Sequence, residues 1–253
     1  MKRLYISLFL ILILSCKQKE FAQVPPLSIK KNNTEIRTPE TLKNYYKGID
    51  FNKKGQILYE DLAVLTIAKH TNFLTYYDRH NYLYKADASI KNPDKVVLMY
   101  TGEERYWREY ISGSNSYTPQ TFNTEHIYPQ SKYQNNAKGD LHHLRSCDKK
   151  INSSRNNLSF AEGTGKAGRV KGGWYPGDEW KGDVARMILY LNLRYNEKLD
   201  SQISVGGIKM LLKWNEEDPV SDFEKQRNNI IEEAQGNRNP FIDFPQLAYR
   251  IYE

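Results

Sequence analysis

Apolar positions in the first half of the chain predict one helix and one short strand. Leu58, Leu62 and Leu65 share one face of a helix predicted over residues 57–70, because side chains three and four positions apart align along a helix. The apolar run at 95–100, KVVLMY, contains β-branched residues and predicts a strand. This half of the chain therefore mixes the two kinds of element.

The C-terminal third carries a stronger helical pattern. Apolar side chains fall on one stripe over residues 180–195, and a second stretch follows over 206–214. Ser221 and Glu224 have the spacing of a capping box, which predicts the start of a further helix, and Gly236 is placed to end it. We therefore expect these apolar positions to form the core.

The stretch between these helices, residues 101–180, is rich in Gly, Asn, Ser and Thr and has few periodic segments. It predicts loops and short strands, where functional residues often lie. Order is expected to start with Thr38 as an N-cap and Pro39 as the first helical residue. No internal repeat or later linker is visible, so the expected fold class is α+β, a mostly helical single domain over 38–253.

The N-terminus has the pattern of an export signal. Its apolar run, 4–14, follows two basic residues and is shorter than the about 20 residues that a membrane span needs. We predict a signal peptide over 1–15 and a lipidated Cys16 at the start of a flexible tether, 16–37, because the cleavage region resembles that of a bacterial lipoprotein. An ordinary secretory signal is the alternative. Either way we expect an exported protein that contacts membrane only through a lipid anchor.

Charge and cysteine content narrow the chemistry. The 253 residues include 37 Lys and Arg against 30 Asp and Glu, a formal net charge of +7, which favours polyanionic partners such as nucleic acid. Many basic proteins bind no nucleic acid, so charge alone leaves the function open. A lipidated Cys16 leaves Cys147 without a disulfide partner, and two cysteines cannot build a four-thiolate zinc site.

Two segments of the middle region contain residues suited to catalysis, 122–129 (FNTEHIYP) and 140–157. His126 is a candidate general base, because imidazole titrates near neutral pH. Glu125 and the amide oxygen of Asn152 are hard ligands that suit Mg²⁺, with Mn²⁺ or Ca²⁺ as alternatives. Neighbouring strand residues face opposite sides, so Glu125 and His126 can share a cleft only at a bulge, a twist or a strand end.

Both segments resemble the active-site segments of the bacterial endonuclease I family. The second segment ends in NSSRNN at 152–157, and the similarity continues in three further blocks, so that it spans roughly residues 40–250. The further blocks are GDVAR at 182–186, WNEEDPVS at 214–221 and QGNRNPF at 235–241. A lone Glu-His pair would be weak support, whereas ordered blocks along most of the chain are specific.

The resemblance implies a ββα-metal (His-metal finger) unit, in which two short strands and a helix close over one metal ion. The first strand brings Glu125 and His126, and the helix brings Asn152. The second strand carries an Asp-x-His segment, which matches Asp140 and His142. The implied cofactor is a single Mg²⁺ that stabilises the phosphate and the leaving oxygen.

Further residues have supporting roles by this resemblance. Arg155 and Arg186 are candidates for contacts with the scissile or neighbouring phosphates, and Arg145 is a candidate without a family match. A structural ion pair is the alternative for each arginine. Asn157 is expected to orient the helix or a ligand, and His142 to brace the general base or the metal ligands.

The chain also departs from the family pattern. His143 stands where family members often have Asn, and the disulfides of the periplasmic relatives are missing. The segment between His126 and Asp140 is short, so it lacks the insertion that supplies a phosphate-contacting Arg in those relatives. The identity of the residue that stabilises charge on the phosphate is therefore open.

The resemblance implies an exported, monomeric endonuclease that hydrolyses DNA, with RNA as a second substrate left open. Low sequence specificity and 5′-phosphate products are expected. A non-catalytic surface lipoprotein that captures nucleic acid is the alternative, although capture needs no general base. A zinc site built from His126, His142 and His143 is a further alternative, but the three-ligand spacing of hydrolytic zinc sites is missing.

Overall fold

The computed structural model describes residues 35–132 and 135–253. The predicted signal peptide, Cys16 and the tether as far as residue 34 lie outside the described residues. Residues 35–39 have no regular secondary structure. Helices dominate the described part, and the strands form small antiparallel sheets, which confirms the α+β class. No helix within these two ranges is long and apolar enough to cross a membrane.

The helices and strands of the described residues follow one another along the chain without an internal repeat. The helices are α1 (Glu40–Lys43), α2 (Gly55–Lys69), α3 (Arg79–Ala86), α4 (Lys149–Arg155), α5 (Lys181–Tyr195), α6 (Gly207–Glu217), α7 (Asp222–Gln235), α8 (Pro240–Asp243) and α9 (Leu247–Tyr252). The strands pair as β1 (Lys95–Val97) with β2 (Glu104–Tyr106), β3 (Phe122–His126) with β4 (Leu144–Asp148), and β5 (Gly168–Val170) with β6 (Gly173–Tyr175).

Helix α5 is enclosed on nearly all sides by the main core. Every residue from Gly182 to Leu191 is buried, and α5 packs against α2, α6 and α8. The predicted apolar stripe is correct, but Asp183 and Arg186 on the same helix are buried as well. They are accommodated because charged side chains from other elements pair with them.

The helix termini show which local signals were reliable. Ser221 Oγ accepts from Glu224 N at 3.2 Å, and Glu224 Oε2 accepts from Ser221 N at 3.0 Å, so the capping box is confirmed. Gly236 ends α7 with φ of +89°, a region that favours glycine. The prediction for α1 was wrong by one residue, because Pro39 occupies the N-cap position and the helix begins at Glu40.

The second strand does not carry the Asp-x-His segment. Residues Leu141–His143 form a 3₁₀ turn, and β4 begins only at Leu144. The Asp140 side chain accepts from the His142 backbone N–H at 2.9 Å and thereby caps the turn. The expectation that Asp140 and His142 lie on the strand was therefore wrong, and both precede it.

Candidate active site

Strands β3 and β4 and helix α4 form one continuous unit. Phe122 pairs with Asp148 at one end of the hairpin, and His126 pairs with Leu144 at the other. Helix α4 follows β4 directly, because the Asp148 carboxylate accepts from Lys150 N at 2.7 Å and from the next backbone N–H at 3.0 Å. The helix therefore packs against both strands.

Asn152 joins this helix to the first strand. Its amide nitrogen donates to Asn123 Oδ1 at 2.8 Å and to the Thr124 carbonyl at 3.2 Å. Both bonds use the nitrogen, so neither engages the amide oxygen. The predicted position of Asn152, on a helix beside the Glu-His strand, is what the structure has.

Glu125 is a buried carboxylate with two polar neighbours. The hydroxyl of Tyr100 donates to Glu125 Oε1 at 2.9 Å, and Arg155 Nε lies 3.4 Å from the same oxygen. Burial raises the pKa of the Glu125 carboxyl, and the positive charge of Arg155 opposes that rise. Tyr100 lies outside the sequence motifs and has a φ of +73°, an uncommon region for a tyrosine.

His126 is the last residue of β3, which meets the geometric condition set by the alternation of strand side chains. Glu125 and His126 both line a single cleft of about 650 Å³, together with residues of α4. The remaining lining is almost entirely polar: Asn123, Thr124, Pro129, Gln130, Ser131, Asn152, Ser153, Arg155, Asn156 and Asn157.

The imidazole of His126 lies in a half-buried, electropositive environment. Burial, together with the positive charges of His143, Arg79, Lys138 and Arg155, lowers its pKa to about 3. The sequence predicted titration near neutral pH, and the difference arises because no carboxylate is among these dominant influences. At neutral pH the ring is therefore in its proton-accepting form.

Arg155 is placed at the site but is fully buried. Its guanidinium donates to the carbonyls of His126 at 3.2 Å and Ile127 at 2.7 Å, and also to that of Asn156 at 3.0 Å. These bonds fix the end of β3, so the structure gives Arg155 a positioning role. Asn157 lies at the cleft rim, where its amide donates to Ser131 Oγ at 3.4 Å.

Arg145 and Arg186 are not placed for phosphate contacts. Arg145 has no exposed surface and pairs with Asp87 and Asp183, each at 3.1 Å. Arg186 is equally enclosed and pairs with Glu224 at 2.6 Å. The suggestion that these two arginines bind substrate phosphates was therefore wrong, and the alternative of structural ion pairs fits both.

His142 is also turned away from His126. Its Nε2 is 3.1 Å from the Asn237 carbonyl oxygen, and its ring packs on Tyr190 with centroids 4.4 Å apart. The histidine that lies beside His126 is His143, whose ring centroid is 5.6 Å away. The expectation that His142 braces His126 was wrong, because the 3₁₀ turn points the two adjacent histidines in different directions.

The donor set of the cleft suits a hard divalent cation. Glu125 supplies a carboxylate and Asn152 an amide oxygen, and Mg²⁺ commonly accepts one or two protein ligands with water and phosphate completing its shell. Among the described residues, no group of three or more His, Cys, Asp or Glu side chains is arranged to hold a metal. Nε2 of His143 is hydrogen-bonded to the Ala137 carbonyl at 2.8 Å.

Comparison with known proteins identifies the family. A family model described as Endonuclease I matches residues 58–246. The chain is 37% identical to an extracellular ribonuclease of Bacillus subtilis, over 82% of this chain and 78% of the relative. An extracellular ribonuclease of Bacillus amyloliquefaciens is 36% identical over 88% of this chain and 83% of its own length. An extracellular deoxyribonuclease of Aeromonas hydrophila is 28% identical over 43% of this chain.

The polar cleft, the hairpin and the following helix all fall inside the matched region, and the class they define is that of a nuclease. The chain belongs to the endonuclease I family.

Proposed function

We propose that this protein is an exported, metal-dependent endonuclease that hydrolyses phosphodiester bonds in DNA and RNA. The unit formed by β3, β4 and α4 acts as a ββα-metal finger. The observation that carries the proposal is that Glu125, His126 and Asn152, which the resemblance marks as the reactive residues, line one polar cleft.

His126 is the general base in this proposal. Its neutral imidazole accepts a proton from a water molecule while the water oxygen attacks phosphorus. A new P–O bond forms as the bond to the leaving oxygen breaks, and we expect the product to retain the 5′-phosphate. The fixed position of the ring at the end of β3 reduces the entropy cost of aligning water and phosphate.

Glu125 and Asn152 would hold a single Mg²⁺, for which Mn²⁺ or Ca²⁺ are alternatives. When bound, the ion supplies positive charge to the phosphate and the leaving oxygen. Tyr100 orients the Glu125 carboxylate, and Asn123 orients the Asn152 amide. Each of the two proposed metal ligands is therefore hydrogen-bonded to a neighbouring residue that limits the rotation of its side chain.

The substrate range follows from the relatives and from the lining of the cleft. The two Bacillus relatives are named ribonucleases and the Aeromonas relative a deoxyribonuclease, so we propose activity on both nucleic acids. Apart from His126, the described lining of the cleft contains no aromatic ring on which a base could stack. This supports low sequence specificity, because phosphate contacts carry no direct sequence information.

The relatives named extracellular support export of this chain, and we propose either a lipid anchor at Cys16 or full secretion. A monomer is expected. The anchor can be tested by mass spectrometry of the membrane fraction, where Cys16→Ala should abolish lipid attachment.

Cleavage of plasmid DNA and of labelled RNA, with Mg²⁺ and with EDTA, tests the proposed activity. We expect cleavage only with the metal, and His126→Ala should lose almost all turnover while still binding nucleic acid. His80→Ala is the matched control, since His80 packs on Tyr84 and Tyr110 and does not line the cleft. Binding without cleavage by the wild type would instead support a nucleic-acid-capturing lipoprotein.

A further inference from the structure

Two cations and a tyrosine lie beside His126, outside the sequence segments that identified the site. The ring of Tyr76 stacks on the His126 ring, with centroids 5.2 Å apart and planes inclined by 24°. The guanidinium carbon of Arg79 lies 3.5 Å from the Tyr76 ring centroid, and Lys138 Nζ lies 5.3 Å from it. Both positive charges and the imidazole therefore lie against the same aromatic ring.

Arg79 is held in place by the wall of the cleft. Its Nε donates to Thr124 Oγ1 at 2.9 Å, and a terminal nitrogen donates to the Tyr76 carbonyl. Thr124 itself lines the cleft. Because Arg79 is buried at the first turn of α3, its guanidinium has little freedom to move away from this position.

Lys138 reaches Tyr76 because its turn packs directly on the backbone that leads to the tyrosine. A Cβ atom at Gly139 would lie 2.0 Å from the Leu74 carbonyl oxygen and 3.0 Å from the Thr75 carbonyl carbon. Only glycine permits this close approach, and the next residue back along the turn is Lys138. The packing therefore brings an exposed lysine next to an aromatic ring that belongs to a distant part of the sequence.

These two cations differ from the structural arginines of the same protein. Arg145, Arg186 and Arg227 each pair with a buried carboxylate. Within residues 35–132 and 135–253, neither Arg79 nor Lys138 forms an ion pair with a carboxylate. Positive charge fixed by packing and not neutralised by a carboxylate is suited to bind an external anion.

We propose that Arg79 and Lys138, held against Tyr76, bind the phosphate next to the one that is cut. The inference rests on the proposed nuclease function. It names the side chains that make a phosphate contact in place of the Arg that the short segment between His126 and Asp140 lacks. A neighbouring phosphate fits better than the scissile one, because neither Arg79 nor Lys138 is among the described residues that line the cleft with His126. The contact depends on charge and is independent of base identity, so it applies to RNA and DNA strands alike.

Binding and turnover of Lys138→Gln test the proposal. We would measure the Kd for fluorescein-labelled RNA and DNA oligonucleotides in EDTA, and KM and kcat with Mg²⁺, at several salt concentrations. Lys138→Gln should raise Kd and KM about tenfold at low salt and reduce the slope of log Kd against log salt by roughly one. The value of kcat should stay within about twofold, because a flanking contact is kept in ground and transition states alike.

Two further variants sharpen the test. Tyr76→Leu should weaken binding as Lys138→Gln does. Tyr76→Phe keeps the aromatic ring, so its Kd and KM should stay near the wild-type values. Lys209→Gln is the matched control, since Lys209 is an exposed lysine on α6, an element that does not line the cleft. It removes one positive charge and should leave both Kd and KM unchanged.

Equal Kd values and salt slopes for Lys138→Gln and Lys209→Gln would overturn the proposal. A fall in kcat with unchanged Kd would also overturn it, because that pattern places Lys138 at the reacting phosphate. Failure of the nuclease function looks different. The wild type would then bind the oligonucleotides without cutting them in Mg²⁺, and the Kd comparison would still decide whether Lys138 binds phosphate.

Discussion

The hydroxyl of Tyr100 donates a hydrogen bond to Oε1 of Glu125 over 2.9 Å. Burial raises the pKa of Tyr100 well above its ordinary value, so the hydroxyl keeps its proton and stays a donor. The bond fixes one oxygen of a carboxylate that is only 2% exposed. A residue outside the sequence motifs thereby sets the orientation of the proposed metal ligand.

Removal of this hydroxyl should weaken metal binding more than it weakens the fold. Tyr100→Phe is expected to lower Mg²⁺ affinity by about 10-fold or more, because partners behind a ligand commonly contribute that much. Titration of activity with Mg²⁺ measures the change. Tyr249→Phe removes a hydroxyl that bonds to Leu212 and Glu216 and should leave the titration unchanged. Identical midpoints for the two variants would remove Tyr100 from the site.

Asn152 should be sensitive even to replacement by a residue that offers the same ligand atom. Asn152→Asp keeps an oxygen for the cation but cannot donate to Asn123 Oδ1 and the Thr124 carbonyl. We expect kcat to fall by about 10- to 100-fold, and Asn152→Ala to be at least as impaired. Single-turnover cleavage measures both variants. Ser154→Ala, on the same helix outside the cleft, serves as the control, and full activity of Asn152→Asp would argue against the orienting bonds.

Arg186 should matter for stability and not for chemistry. Arg186→Met leaves Glu224 buried without its partner, which should cost about 3 to 5 kcal/mol of unfolding free energy. Urea unfolding measures the loss, and kcat per folded molecule should stay near wild type at low temperature. A large drop in kcat with unchanged stability would restore Arg186 as a phosphate ligand.

The buried His142 should make the fold sensitive to mild acid. Burial lowers its pKa in the folded protein to about 4, against the ordinary value of 6.5. Between these values the unfolded chain binds a proton that the folded protein does not, so stability falls as pH falls from 6.5 towards 4. The contribution of this one group amounts to about 3 kcal/mol across the window.

A difference measurement isolates that contribution. Asp183, whose pKa burial raises to about 7, acts in the opposite direction over much of the same range, but it is present in both proteins being compared. The stability advantage of wild type over His142→Gln should therefore shrink as pH falls from 6.5 to 4. Urea unfolding at intervals of pH measures it, and a constant difference would contradict the burial of a neutral imidazole.

Local sequence signals predicted the elements well where neighbours along the chain decide the structure. The capping box of Ser221 and Glu224 and the apolar stripe over 180–195 depend on contacts within a few residues, and both were correct. The placement of Asn152 on a helix that follows a strand also came from order along the chain, through the family resemblance.

Long-range pairing explains what the sequence did not reveal. Arg145 and Arg186 resemble phosphate ligands in the sequence, because their partners Asp87, Asp183 and Glu224 are 38 or more positions away. Side-chain direction inside the 3₁₀ turn likewise decided that His143, and not His142, lies beside His126.

The residues that surround the imidazole were missed for a similar reason. Tyr76 lies in the turn before α3, Arg79 is the first residue of α3, and Lys138 lies in a turn much later in the chain, so no spacing rule connects them. The clearest signal was Gly139, but the close approach that requires it can be recognised only once the chain is folded.

Arg155 is the last residue of α4. Its guanidinium donates to two carbonyls at the end of β3, and its Nε lies beside Glu125. A single side chain thus connects helix α4, the end of β3 and the Glu125 carboxylate. We therefore expect α4 and the end of β3 to move together, which keeps the spacing between the amide of Asn152 and the ring of His126. Movement of the surrounding loops should then leave that spacing largely unchanged.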